Sequence, residues 1–229
     1  MGKKIAVAID GPAGAGKSTI AKKIAEKLNY VYVDTGAMYR SVALKALRTG
    51  ADLADEEGIS LLAEKMLLTL KPALVQGVYT NKVYLDGEDV TEAIRSPEVN
   101  RNVSRVAAIP GVRTALVSQQ RRMAALGGTV MDGRDIGTVV LPEAELKIYL
   151  TASIEERALR RYREMQEKGY EVSLPALQRE IAERDRADME REHSPLRQAE
   201  DAVLLDTTDY TIEEAAAEIM KLYRERTAG

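Results

Sequence analysis

Cysteine, tryptophan and phenylalanine are all absent from this sequence of 229 residues. The absence of cysteine excludes disulfides, thiol catalysis and zinc–thiolate sites, and it fits a reducing cytosol. A stacking platform for single-stranded nucleic acid could draw only on the ten tyrosines, and the net charge of −3 also speaks against nucleic acid. No segment is suited to span a bilayer or to serve as a signal peptide. We therefore expect a cytoplasmic protein with no nucleic-acid or membrane partner, and a monomer by default.

Short apolar runs alternate with helical patterns along most of the chain. Runs typical of buried parallel strands lie at 4–10, 30–33, 129–132, 146–151 and 202–207. Helical patterns separate them, and two of these begin at Ser153 and Thr211, where a glutamate three residues later completes a capping-box pattern. Five strands separated by helices predict an α/β fold with a doubly wound, five-stranded parallel sheet and helices on both faces.

The region 64–127 breaks this alternation. A helical pattern ends before Pro72, and two β-rich runs follow that are joined by Thr80 and Asn81; two more helical patterns come next. These runs and patterns lie at 73–79, 82–85, 97–108 and 112–126. Because short strands here pair locally inside a parallel α/β chain, we predict an inserted lobe at 64–127 within a single unit of 1–229.

One glycine-rich stretch matches the P-loop pattern G-x-x-x-x-G-K-[ST] between a predicted strand and an amphipathic helix, the context that confirms the motif. It consists of Gly11, Pro12, Ala13, Gly14, Ala15, Gly16, Lys17 and Ser18, and Thr19 extends it into the helix. Backbone N–H groups of such a loop converge on phosphate oxygens, as does the helix N-terminus. Lys17 reaches the β- and γ-phosphates, and Ser18 is a candidate Mg²⁺ ligand. We therefore expect this stretch to bind a nucleoside triphosphate together with Mg²⁺.

A P-loop alone does not identify a reaction, because several classes of protein have one. The acids and arginines that follow the strands have to distinguish between these classes. Thr35 and Arg40 follow the second predicted strand, and Arg134 and Asp135 follow the third. Ligands of α/β proteins bind at this carboxyl edge of the sheet. Taken alone, Arg40 could equally be an exposed helix residue. Asp132, at the end of the third strand, either orients Mg²⁺ or its water, or it caps a turn.

A further group of charged residues lies near the end of a predicted helix. Arg184, Asp188 and Arg191 are spaced so that they share one helical face. A surface salt-bridge ladder fits this spacing equally well. His193, the one histidine of the chain, follows shortly afterwards in a predicted exposed turn, and we assign it no chemistry.

A lid is predicted at 156–175. Arg157, Arg160 and Arg161 place like charges three and four residues apart, which costs stability on an isolated helix unless anions neutralise them. This clustering favours a functional interpretation of the three arginines. The stretch Lys168-Gly169-Tyr170 then breaks the helix, as a mobile flap needs.

Four stretches, GPAGAGKST, DTGAMYR, DGRDIGTVV and ERDRADMER, resemble the bacterial cytidylate kinase family in their order and spacing. The similarity covers essentially the whole chain, and the last two stretches together are much more specific than the P-loop. The resemblance implies a P-loop kinase fold in which the inserted lobe binds the nucleoside monophosphate and 156–175 forms a short helical lid. It also implies phosphoryl transfer from ATP, bound as Mg–ATP, to CMP or dCMP, which gives ADP and CDP or dCDP.

The resemblance further implies roles for individual residues. The cytosine side would be held by Thr35, Arg134 and Asp135. The ribose would be approached by Ser104, Arg184 and Asp188. The acceptor phosphate would be approached by Arg40, Arg113, Arg134 and Arg191. Members of the family often have serine at the position of Thr35, and threonine keeps the hydroxyl.

These residue types suit the implied chemistry. Arg134 offers a planar fork of donors that serves both a base carbonyl and a phosphate oxygen. Asp135 can accept from the exocyclic amine of cytosine, where uracil presents an oxygen instead. The attacking oxygen of CMP is already ionised near neutral pH, so no general base is required. Catalysis then needs alignment and charge neutralisation. We expect these from Mg²⁺, Lys17, Arg134, Arg157, Arg160 and Arg161.

Two other hypotheses stay open. One is a P-loop kinase for a different acceptor, such as UMP, AMP or a small metabolite like shikimate. The other is a nucleotide-sensing module without turnover. The signature of such a module would be loss of Lys17 or of the arginine groups, and all of these are present.

Overall fold

The five strands predicted from the sequence form one parallel sheet in the computed structural model, which describes residues 4–75, 77–125, 127–167 and 169–228. In chain order the strands are β1 (Ala6–Asp10), β2 (Val31–Asp34), β3 (Leu68–Val75), β4 (Val78–Leu85), β5 (Glu88–Asp89), β6 (Thr129–Gly133), β7 (Leu146–Thr151) and β8 (Val203–Asp206). The parallel sheet has the order β2-β6-β1-β7-β8. The strand that precedes the P-loop is therefore the central one.

Helices cover both faces of this sheet. They are α1 (Lys17–Leu28), α2 (Thr35–Thr49), α3 (Glu56–Lys65), α4 (Pro97–Ala108), α5 (Pro110–Ala124), α6 (Ile154–Glu167), α7 (Leu174–Glu190) and α8 (Ile212–Thr227). Successive residues of a strand point to opposite faces. In β1, Ile9 belongs to one core cluster with Ile20 of α1 and Ile219 of α8, while Ala8 belongs to another with Met38 of α2. The doubly wound α/β architecture is therefore confirmed.

The capping box predicted at Thr211 is present, and one of the two bonds of the box predicted at Ser153 is present. Thr211 and Glu214 form a full capping box, in which each side chain accepts from the backbone N–H of the other residue. At the start of α6, Ser153 Oγ accepts from the backbone N–H of Glu156 at 3.2 Å. These bonds satisfy donors that a helix otherwise leaves unpaired at its first turn.

A second sheet lies in the predicted insertion, and its turn differs from the sequence prediction. β3, β4 and β5 pair in an antiparallel manner. Val75 pairs with Val78, so the hairpin turns between these two residues. Thr80 and Asn81, predicted as the connection, lie inside β4, and Pro72 lies within β3.

The reason for this difference is a tertiary contact with the large sheet. Asn81 is buried, and its Nδ2 donates to the carbonyl oxygen of Tyr32 at 2.8 Å. Tyr79 OH donates to the carbonyl oxygen of Tyr30 at 3.2 Å. Tyr32 belongs to β2, the edge strand of the parallel sheet, whose outward carbonyls would otherwise face solvent. The hairpin therefore covers this edge.

The predicted lid, 156–175, covers most of α6 and the beginning of α7. α6 ends at Glu167, as predicted, and Gly169 has a left-handed φ of +77°. Three residues within the predicted lobe and lid lie outside the described residues, and they are Gln76, Leu126 and Lys168. The bounds of the lobe and of the lid stay predictions. In the described ranges, no helix combines the length and the apolar character needed to cross a membrane.

Replacing Asn81 tests the attachment of the hairpin. Asn81→Ala should lower the free energy of unfolding by about 1–3 kcal/mol, because the buried Tyr32 carbonyl loses its donor. Urea denaturation measures this change. Asn102→Ala is the matched control, since the Asn102 amide donates to the Glu98 carbonyl on an exposed part of α4. A loss for Asn81→Ala no larger than for this control would contradict the attachment.

Candidate active site

The carboxyl ends of β1, β2 and β6 meet at one edge of the sheet, where the predicted site residues are concentrated. In the strand register, Asp10 lies opposite Gly133 and Asp34 lies opposite Asp132. The P-loop follows Asp10 directly, and Thr35 follows Asp34. The parallel topology therefore brings together segments that are about a hundred residues apart in the sequence, at the edge where α/β proteins bind ligands.

The P-loop folds around the amine of Lys17. Its Nζ donates to the carbonyl oxygen of Pro12 at 2.6 Å, and the side chain is buried. Burial lowers the pKa of Lys17 well below its usual value, and the charge of Arg134 adds to this effect. A Cβ on Gly11 would lie 1.9 Å from the carbonyl oxygen of Leu150, so the loop can leave β1 here only through a glycine. An anion at this loop would stabilise the charged amine.

Asp132 binds two hydroxyl groups and does not cap a turn. Ser18 Oγ donates to one carboxylate oxygen and Tyr32 OH to the other, each at 2.8 Å. Thr35 Oγ1 donates to the backbone carbonyl of Asp132 at 2.7 Å. Burial raises the pKa of this carboxyl, and the neighbouring Asp34 raises it further. The sequence left open whether Asp132 orients Mg²⁺ or its water, or caps a turn. Its bonds to two side-chain hydroxyl groups favour the first interpretation, which stays a prediction.

The oxygens of Ser18 and Asp132 fit a Mg²⁺ ion. Mg²⁺ takes oxygen ligands, keeps several of its waters and is usually bound through one or two protein groups together with substrate phosphates. The Ser18 hydroxyl and the Asp132 carboxylate are such oxygens, and the Asp132 charge acts on the buried Lys17 amine. Both oxygens therefore belong to a group of side chains that is close enough to the Lys17 amine of the P-loop to act on its charge.

Asp135 is paired with Arg113. Arg113 Nη2 donates to a carboxylate oxygen of Asp135, and its Nη1 donates to the Ala107 carbonyl at 3.1 Å. Both charged side chains are buried, and the Arg113 guanidinium lies over the ring of Tyr39, 5.3 Å from its centroid. The family resemblance places Arg113 near the acceptor phosphate, whereas the structure directs its guanidinium to Asp135.

A second group of cations surrounds two buried carboxylates. Arg40 lies 3.4 Å from Asp34, and Arg95 lies 3.5 Å from the same side chain. Arg134 Nε donates to Asp188 at 2.7 Å. Although burial opposes the ionisation of Asp188, its pKa is lowered because Arg134 lies beside it. Arg40 and Arg134 are thus both held at the sheet edge by carboxylates.

Several buried arginine donors at this edge have no partner among the described residues, and the Nε of Arg113 is one of them. The Nε atoms of Arg40 and Arg184 are buried and make no hydrogen bond to any described residue. Burial, followed by the charges of Arg134 and then Arg40, lowers the pKa of Arg184 to about 10. Unpaired buried donors beside like charges are destabilising. An anion that accepted from these donors would therefore stabilise the cluster.

Ser104 and Arg191 line a cavity of about 580 Å³. Arg191 Nε donates to the carbonyl of His193 at 2.8 Å, and its Nη2 donates to the carbonyl of Ser194. Burial and the charge of Arg113 lower the pKa of Arg191. His193 contributes to the same cavity wall. Ala108 and Pro110, at the junction of α4 and α5, line the cavity as well.

Arg157 is bound to the P-loop itself. Its Nη1 donates to the Ala13 carbonyl at 3.0 Å and lies 2.6 Å from the carboxylate of Asp185, and its Nε donates to the Ala152 carbonyl at 2.9 Å. The side chain is buried. Arg157 therefore links α7 to the backbone of the P-loop.

The two other lid arginines are neutralised by acids of their own helix. Arg160 Nε donates to Glu156 at 2.9 Å, and Arg161 pairs with Glu164 at 3.0 Å. The sequence argument that this cluster requires bound anions is therefore wrong, because it overlooked the carboxylates of the protein. Arg161 remains 37% exposed and has the freest side chain of the three.

Sequence reasoning missed Asp10, Tyr32, Asp34 and Arg95. Asp10 and Asp34 carried a usable signal, because each ends a strand at the carboxyl edge just as Asp132 does. Tyr32 and Arg95 carried none, since their partners, Asp132 and Asp34, come close only in the folded chain.

Known proteins resemble this chain over nearly its full length. The family model described as cytidylate kinase matches residues 7–225. The cytidylate kinase of Desulfitobacterium hafniense is 55% identical over 226 residues, which covers 99% of this chain and 95% of that protein. The cytidylate kinase of Ligilactobacillus salivarius is 52% identical, with 99% of both chains covered. The solved structure of an uncharacterized protein from Eubacterium ventriosum matches with a TM-score of 0.53 at 12% identity, covering 96% of this chain and 98% of that one, which shows the fold alone.

Replacing Arg184 tests the anion site. Arg184→Met should stabilise the ligand-free protein by about 1 kcal/mol or less, because it removes a partly buried cation beside Arg134. The same variant should gain less stability from inorganic phosphate than the wild type does, because only phosphate bound at the P-loop would still stabilise it. Thermal unfolding with and without phosphate, at constant ionic strength, measures both effects. Arg186→Met, at an exposed position of the same helix, is the matched control. Phosphate stabilisation of Arg184→Met equal to that of the wild type would contradict the anion site.

Proposed function

This chain belongs to the cytidylate kinase family, and from this membership we infer that it transfers the γ-phosphoryl group of ATP to CMP or dCMP, giving ADP and CDP or dCDP. The observation that carries the proposal is the set of unpartnered arginine donors beside the P-loop. A P-loop accounts for one bound triphosphate. The arginine cluster supplies a second anion site, which a kinase needs when its acceptor is itself a phosphate group.

We place the acceptor phosphate at Arg40, Arg134 and Arg184. The free Nε atoms of Arg40 and Arg184 would each donate to a phosphate oxygen, and such charge-assisted bonds are stronger than neutral ones. Asp34 and Asp188 fix two of these arginines, so their donors are oriented before the ligand arrives. The proposal keeps Arg191 at the rim of this site.

We place the cytosine at Asp135. One carboxylate oxygen of Asp135 accepts from Arg113, and a carboxylate has capacity for further donors such as the cytosine amine. In this proposal Arg113 serves the base end by orienting that carboxylate. Thr35 follows the carboxyl end of β2, which lies beside the carboxyl end of β6. Ser104 and Asp188 remain the proposed ribose contacts.

The proposed mechanism relies on alignment and charge. The phosphate oxygen of CMP is the nucleophile and needs no base, so the chain must hold two anions in line. Lys17 would exchange the Pro12 carbonyl for the transferred phosphate, whose charge restores the pKa of the amine. Ser18 and Asp132 would hold Mg²⁺, which neutralises charge on the phosphates when it is bound with ATP.

The lid arginines would act in different ways. Arg157 braces the P-loop through the Ala13 carbonyl, and we propose this as its main contribution. Arg160 and Arg161 would exchange their helix partners for the transferring phosphoryl group when 156–175 closes. Closure of the lid over the acceptor in the 64–127 lobe would exclude water, which competes with CMP as the acceptor.

We also propose an oligomeric state and a cellular location for the enzyme. One chain carries the P-loop, the arginine cluster and the base end, so a monomer suffices for activity. A cytoplasmic location follows from the substrates, since ATP and cytidine nucleotides are metabolites of that compartment.

A panel of acceptors tests the function. ADP release coupled to an indicator reaction should be fast with CMP and dCMP and much slower with UMP, AMP and shikimate. Lys17→Ala should fold and show severely reduced turnover with every acceptor, which controls for contaminating kinases. Comparable rates with UMP or AMP would contradict the acceptor assignment, and ATP binding without turnover would favour a sensing module.

Asp135→Ala tests the base contact. The cytosine amine would lose its acceptor in a closed site, which should cost ~1.5–3 kcal/mol with CMP, or roughly 10- to 150-fold in kcat/KM. UMP should lose much less, because its carbonyl at that position is repelled by the native carboxylate. The ratio of kcat/KM for CMP to kcat/KM for UMP should therefore fall in the variant. Measuring kcat/KM for both acceptors with the wild type and the variant tests this. Equal losses would mean that Asp135 only braces its arginine neighbour.

A further inference from the structure

A short π-helical turn at Ile136–Val140 follows the residues that we assign to the acceptor. Arg134 and Asp135 directly precede it, and Asp135 supplies its first carbonyl, which accepts from Val140 N at 3.1 Å. A turn of five residues has few internal hydrogen bonds to keep it in place. Its orientation must therefore depend on groups outside it, and any rotation of the turn would move both site residues.

Asp10 binds the beginning of this turn. Its two carboxylate oxygens accept from Ile136 N at 2.8 Å and from Gly137 N at 2.7 Å. Asp10 is buried at the end of β1, directly before the P-loop. The carboxylate of Asp10 therefore fixes the π-helical turn to the end of β1, where the P-loop begins.

Arg121 binds the other end of the turn. Its Nη2 donates to the Val139 carbonyl at 2.7 Å, and its Nε donates to the Val140 carbonyl at 3.0 Å. A guanidinium is suited to this task, because its donors lie in a rigid plane and can reach two carbonyls at once. Sequence reasoning did not single out Arg121, since nothing in its local pattern separates it from the other arginines of α5.

α5 is thus attached at two points to the stretch that Asp135 and the π-helical turn form. Arg113 binds Asp135, and Arg121, eight residues later on the same helix, binds the end of the turn. Eight residues of α-helix span about 12 Å, so the two contacts are well separated. Two separated contacts fix both the position and the direction of α5 relative to the turn, which one contact alone could not do.

We propose that Arg121 is a positioning residue for the acceptor: by holding the Val139 and Val140 carbonyls, it keeps Arg113, Asp135 and Arg134 in the arrangement that binds CMP. This inference rests on the proposed assignment of those residues to the acceptor site. Arg121 itself contacts the turn and touches neither substrate.

Arg121→Met is the decisive variant. Methionine keeps an unbranched, helix-compatible stem and removes all donors. We expect KM for CMP to rise roughly 3- to 30-fold, the range for residues that act through a packed neighbour, with kcat changed by less than about twofold. The preference for CMP over UMP should narrow, and amide exchange across 136–141 should become faster. Arg121→Lys, which keeps one donor group, should recover part of the affinity.

Arg122→Met is the matched control. Arg122 is the next residue of α5, and its Nη1 donates to Ser118 Oγ within the same helix. Arg122→Met should leave KM for CMP, the preference for CMP over UMP and amide exchange across 136–141 as in the wild type. If Arg121→Met lowers only the melting temperature and leaves KM and acceptor preference unchanged, Arg121 is merely structural and the inference is overturned.

Asp135→Ala, measured in parallel, separates this inference from the proposed site. If Asp135→Ala narrows the acceptor preference and Arg121→Met changes nothing, the site assignment stands and the positioning role fails. If Arg121→Met raises KM for CMP and loosens the turn while Asp135→Ala leaves the preference unchanged, the positioning role stands and the base contact of Asp135 fails.

Discussion

Pairing of buried charges is the constraint on which this structure depends. At the carboxyl edge of the sheet, guanidinium groups are paired with aspartate carboxylates, which offset the repulsion between like charges. The pairs that achieve this are Arg40–Asp34, Arg113–Asp135, Arg134–Asp188 and Arg157–Asp185. The compensation is incomplete, because the buried Nε atoms of Arg40, Arg113 and Arg184 stay without a hydrogen bond in the described part of the chain. We propose that a bound phosphate completes it.

The same pairs connect the elements that form the site. Asp185 and Asp188 lie on α7, and they bind arginines from α6 and from the segment after β6. Arg113 ties α5 to that segment as well. Charge compensation and tertiary structure are therefore the same set of contacts at this edge. A ligand that supplies negative charge would change the balance at several elements at once, which is how binding of CMP could promote closure of the lid.

Local patterns predicted the parts of this account that depend on neighbours in the sequence. The five core strands, the P-loop and the cluster of acids and arginines at strand ends follow from periodicity, a spaced motif and the rule for parallel sheets. The position of the hairpin turn did not follow, because Asn81 is buried by a contact with Tyr32, which lies 49 residues away. The partner of Arg113 was missed for the same reason. Acid–base pairs formed across the fold leave no periodic signal in the sequence.

We propose that the carboxyl edge of the sheet lacks a negative charge, which the acceptor phosphate supplies. Isothermal titration calorimetry with CMP and with cytidine tests it directly, since the two ligands differ only in that phosphate. CMP should bind at least about 100-fold more tightly than cytidine, because its phosphate accepts two charge-assisted hydrogen bonds from previously unpaired donors. Equal affinity for cytidine and CMP would contradict it.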